Sequence, residues 1–87
     1  MYTVEIVIDN IIGSNNHGGI TTNECPDIEN LKAYLGFLSQ YYDKSYDYEL
    51  GKYSHTLIYQ TMYTSMLIRI PKDSLTEQEL RSIFRIN

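Results

Sequence analysis

Four apolar side chains, Ile28, Leu31, Leu35 and Leu38, recur at intervals of three and four residues. That spacing returns them to one face of an α-helix and to no single face of a strand. It commits the middle of the chain to an amphipathic helix, with Tyr34, Phe37, Tyr41 and Tyr42 widening the buried stripe. Pro26 tolerates a first helical turn, and Asp27 and Glu29 suit the positive end of the helix dipole. The spacing predicts a helix over residues 27–42.

On either side the period changes to two. Val4, Ile6 and Ile8 alternate with Thr3, Glu5, Val7 and Asp9, which predicts a strand over residues 2–9 with one apolar and one mixed face, extendable through Ile11 and Ile12. Residues 13–26 collect Gly, Asn and Ser and read as a loop, with a short strand at residues 19–22 able to form a hairpin with the first. Asp43, Asp47 and Glu49 among Tyr46 and Tyr48 read as an ordered loop ending at Gly51. The composition of residues 54–70 favours β-structure. It is read as two strands, residues 54–60 and 65–70, broken near Thr61 and Met62; one long bent strand is the alternative. Ser74 with Glu77 matches a capping box, and Leu75, Leu80, Ile83 and Phe84 supply the apolar face of a last helix over residues 75–84.

The expected fold is one small α+β domain over residues 1–87, in the order β-α-β-β-α. Two helices pack on one face of an antiparallel or mixed sheet, an arrangement that fits a ferredoxin-like split βαβ unit without its last strand. With 43% hydrophobic and 21% charged residues the chain has the balance of a folded domain, and 87 residues suffice for one core and not two. So small a core makes a homodimer an open expectation.

The net charge of −4, with only seven basic residues, argues against direct nucleic-acid or anionic-membrane binding and for a protein partner with a basic surface. A single cysteine, Cys25, excludes an internal disulfide. No apolar run approaches bilayer length, and Glu5 and Asp9 interrupt the N-terminal apolar stretch, so a cytoplasmic protein is expected. The wealth of Ile, Asn and Tyr resembles usage in AT-rich genomes, as in low-GC bacteria and their phages.

Candidate chemistry is sparse. The loop from Gly13 to Gly19, with Asn15, Asn16, His17, Gly18 and Gly19, suits close backbone approach to a small ligand, yet no phosphate-loop pattern follows it. A small enzyme using His17 or His55 is a further alternative; Cys25 as nucleophile would need one of them as base. His17, Cys25, Asp27 and His55 lack paired metal-ligand spacing, and Asp43, Asp47 and Glu49 lie too close in sequence to flank a cleft. No catalytic residue, cofactor or metal is assigned.

The nine tyrosines stand out beside two phenylalanines and no tryptophan. Tyr41, Tyr42, Tyr46, Tyr48 and Tyr53 are interleaved with Asp43, Asp47 and Glu49. Tyrosine gives contact area at small entropic cost, and carboxylates steer a cationic partner. These eight residues form the expected partner-binding surface of a non-enzymatic interaction domain. Its concrete version is a small acidic inhibitor or adaptor, phage- or mobile-element-encoded, that occupies the basic, nucleic-acid-binding surface of its target.

Overall fold

The alternation of Val4, Ile6 and Ile8 becomes a nine-residue strand, β1 (Tyr2–Asn10), in the computed structural model, which describes residues 1–10, 19–41, 46–62 and 64–86. The chain continues through β2 (Gly19–Cys25), α1 (Ile28–Tyr41), β3 (Tyr46–Leu50), β4 (Ser54–Gln60), β5 (Thr64–Pro71) and α2 (Glu77–Phe84). The five strands form one sheet in the order β2-β1-β5-β4-β3, and every neighbouring pair is antiparallel.

The α+β class holds, and the order β-α-β-β-α is corrected by two added strands. One is β2, which runs to Cys25 rather than to Thr22. The other is β3, where a loop was expected from the acids. Asp47 and Glu49 in fact alternate with Tyr46 and Tyr48, and a half-exposed strand tolerates acids on its solvent side. The strand order does not bear out the ferredoxin-like assignment. A split βαβ unit leaves one strand between the two parallel strands that its helix joins, whereas α1 joins β2 and β3, which run parallel at the two edges of the sheet with three strands between them.

Both helices cover one face. Val4, Leu57, Met66, Ile68 and Ile70 bury the sheet side of the core against Leu31, Leu35, Leu38, Leu80 and Phe84 from the helices. The helices also meet each other, with Lys32 Nζ 3.2 Å from Glu79 Oε2. Asp27 caps α1 by accepting from the Asn30 amide at 2.8 Å.

Helix α2 starts two residues later than expected, and its capping box is Thr76 with Glu79 rather than Ser74 with Glu77. The Thr76 hydroxyl accepts from the Glu79 amide, and the Glu79 carboxylate accepts from the Thr76 amide, each at 3.1 Å. Hydrophobic stapling explains the choice. A cap at Thr76 places buried Leu75 just before it and buried Leu80 at the fourth helical position, whereas a cap at Ser74 would place polar Asp73 and Gln78 there.

The two-strand reading of residues 54–70 holds, with no Gly or Pro at the reversal. The Thr61 amide donates to the Thr64 carbonyl at 2.8 Å, and the Thr61 hydroxyl accepts from the Thr64 amide at 3.0 Å, so a threonine side chain closes the turn. Between β3 and β4 the close approach falls on Gly51. A Cβ there would lie 3.2 Å from the Ser54 carbonyl oxygen.

Candidate functional site

Strand alternation divides the expected tyrosine and acid surface between two faces. Asp47 and Glu49 point away from the helices and are exposed, whereas Tyr48 points toward them and is half-buried. Tyr46 opens β3. Tyr41 ends α1, 65% exposed, with its ring centroid 5.0 Å from that of Phe37. Tyr53 lies in the β3–β4 turn, 77% exposed, with Lys52 Nζ 5.1 Å from its ring centroid. Tyr42 and Asp43 lie outside the described residues, as do Asn15, Asn16, His17 and Gly18 of the alternative ligand loop; Gly19 begins β2. Among the described residues of this set, Asp47 and Glu49 thus lie on the opposite side of β3 from Tyr48.

What the fold does assemble is the sheet face that neither helix covers. Register fixes its rows. Ile20, Val7, Leu67, Ile58 and Asp47 stand side by side across β2, β1, β5, β4 and β3. The next row is Thr22, Glu5, Arg69, Thr56 and Glu49. Asp9 lies beyond the apolar row, and Glu24, opposite Thr3, lies beyond the charged one. Ile20 is 66% exposed, and Val7, Leu67 and Ile58 are shielded only in part.

Acidic charge gathers on this face. Among the described residues the face carries five carboxylates (Glu5, Asp9, Glu24, Asp47 and Glu49) and the cation Arg69, with Lys52 at its rim. These described groups of the face are therefore strongly acidic in sum, as is the chain with its net charge of −4. Carboxylates clustered on a flat surface around apolar side chains attract cations and give them a dry contact. A hollow of about 480 Å³ opens at one end of the face, lined by Glu5, Arg69, Thr56, Ser54, Lys52 and Tyr53 among others.

Sequence reasoning found Asp47 and Glu49 and missed Glu5, Asp9, Glu24, Arg69 and the apolar row. The signal was present in the mixed face of the first strand. Only the strand pairing shows that the polar side chains of five segments share a plane.

A second cluster lies on the covered side. The Tyr48 hydroxyl sits 2.7 Å from Nδ1 of His55, a buried residue of β4 whose Nε2 has no hydrogen-bond partner among the described residues. Glu77 also engages the Tyr48 hydroxyl, and the Arg81 guanidinium lies 4.7 Å from the Tyr48 ring centroid. Burial, and then the negative field of Glu77, push the Tyr48 phenol above its usual pKa, with Arg81 opposing. A phenol so shifted stays protonated near neutral pH and serves as a hydrogen-bonding link between β3, β4 and α2.

Cys25 and His55 are not brought together. They occupy β2 and β4, three strand spacings or about 14 Å apart. Cys25 is buried, with Asn23 Nδ2 3.5 Å from its sulfur. Among the described residues no group of three or more His, Cys, Asp or Glu could hold a metal ion, and no helix is long and apolar enough to cross a membrane. No family model matches the chain, and it finds no match among characterised proteins or solved structures.

Proposed function

We propose that this chain is a non-enzymatic protein-interaction domain whose open sheet face receives a basic protein surface, of the kind that otherwise holds nucleic-acid phosphates. It then works as a small inhibitor or adaptor. The observation that carries this reading is the gathering of five carboxylates, against Arg69 and the rim cation Lys52, on the face that the helices leave uncovered. Complementary charge speeds encounter and excludes wrong partners, and the apolar row supplies the buried centre that holds a complex together. Stacking two open faces of this chain would set one acidic face against another, so a homodimer through this face is disfavoured.

The test compares retention of host proteins on the immobilised parent, on Glu5→Lys/Glu49→Lys, and on Glu29→Lys as a control on α1. Partners should be retained by the parent and the control, lost on the double variant, and released as salt rises. Retention that ignores the double charge reversal overturns the reading.

A further inference from the structure

We propose that the element docking on this face is a cationic amphipathic helix of the partner, lying across the strands along the row Ile20, Val7, Leu67 and Ile58. The inference rests on the reading just given, that the open face receives a basic protein surface, and it specifies which kind of element does so.

Spacing carries the first part of the argument. Neighbours in the row come from adjacent strands, about 4.8 Å apart. A helix whose apolar residues recur in steps of three and four advances about 5.3 Å per step. An extended segment presents same-face residues only every ~6.6 Å. Over the three intervals of the row, about 14 Å, a helical stripe drifts by under 2 Å and stays in step. A strand laid along the row drifts by about 5 Å, a full strand spacing, and loses register.

Charge carries the second part. Glu5 and Glu49 flank the row on one side with Arg69 and Thr56 between them, Asp9 flanks it on the other beside Ser65 and Gln60, and Asp47 ends it on β3. A helix with its apolar stripe in the row holds its flanking side chains over Glu5 and Glu49 on one margin and Asp9 on the other. Lys and Arg there reach carboxylates while their stems cover apolar surface. The same acids repel duplex nucleic acid, an anionic lipid surface and a second copy of this face.

The experiment titrates the isotope-labelled full chain with three synthetic probes at ~50 mM salt. The first is a Lys/Arg-rich peptide of ~18 residues with leucines at i, i+3, i+7 and i+10. The second has the same composition permuted to abolish the stripe. The third is oligolysine of equal charge. The striped peptide should bind about tenfold or more tighter than the permuted one and gain helical circular dichroism. It should shift the amide signals of Val7, Leu67 and Ile58, and Ile20→Ser and Leu67→Gln should each weaken it while leaving oligolysine unchanged. Ile20 is exposed on an edge strand, so its variant keeps the fold and the comparison stands if Leu67→Gln does not.

Equal binding of striped and permuted peptides, abolished by Glu5→Lys/Glu49→Lys, overturns the helix and leaves the acidic-face reading standing. Signals shifting only on the helix-covered side also overturn the helix. If no probe binds, or binding ignores the charge reversal, both readings fail together.

Discussion

Glu5 and Arg69 stand directly opposite each other on the neighbouring strands β1 and β5, on the side of the sheet that neither helix covers. Arg69 stands in a strand row among five carboxylates of that face, and its other cross-strand neighbour is Thr56. Opposite charges in this position stabilise a sheet by about 0.2–1 kcal/mol, and like charges destabilise it by similar amounts. Arg69→Glu and Glu5→Arg should each lower the urea midpoint, and the exchange Glu5→Arg/Arg69→Glu should recover most of the loss. Additive losses in that cycle would show that the two charges do not sense each other.

The start of α2 gives a second expectation. Thr76→Ala removes the acceptor of the Glu79 amide and should cost about 1 kcal/mol, within a range of about 0.5–2. Ser74 lies outside the box and donates only to the Pro71 carbonyl, so Ser74→Ala should cost less. Urea unfolding of both variants decides between the two registers, and a larger loss at Ser74 would restore the earlier start.

Acid should weaken the fold through the same caps. Hydrogen bonds from the Asn30 amide, and then from its side chain, hold the Asp27 carboxyl below its usual pKa. Those from the Thr76 amide, and then from Lys32, do so for Glu79. A folded-state pKa below the unfolded one means a contribution present above the unfolded pKa and lost as pH falls through the folded one. Stability should therefore decline from about pH 5 downward. Asp27→Asn/Glu79→Gln should start lower and decline less steeply over that window. A parallel decline in parent and double variant would place the acid sensitivity elsewhere.

Helix α1 is legible in the sequence because a three-and-four spacing serves only one geometry, and β1 because strict alternation does the same. Residues 46–50 were harder. A five-residue strand at a sheet edge has one solvent side, so its acids make it resemble a loop when composition outweighs period. The start of α2 was ambiguous because Ser74 with Glu77 and Thr76 with Glu79 both satisfy the polar half of the motif, and only burial of Leu75 against Leu80 separates them. The open face was least legible. Its acids lie on three different strands, and which strands adjoin is decided by long-range pairing that a local pattern does not encode.

The contact of half-buried Tyr48 with buried His55 gives the last expectation. The Tyr48 hydroxyl and His55 Nδ1 can share one proton across their 2.7 Å contact, whichever of the two donates. His55 Nε2 is already buried without a partner among the described residues. Tyr48→Phe leaves a second imidazole nitrogen unsatisfied, and it should cost about 1–3 kcal/mol. His55→Leu removes both nitrogens along with their unmet need for partners, so it should cost less than Tyr48→Phe despite truncating a buried ring. In the His55→Leu background Tyr48→Phe should then cost measurably less than in the parent, a coupling of about 0.5 kcal/mol or more, because the partner it would strand is gone. Urea unfolding of the four chains gives this coupling directly. Equal costs of Tyr48→Phe in both backgrounds would mean that the 2.7 Å contact contributes nothing, and that burial of the two rings alone holds β3 and β4 beneath α2.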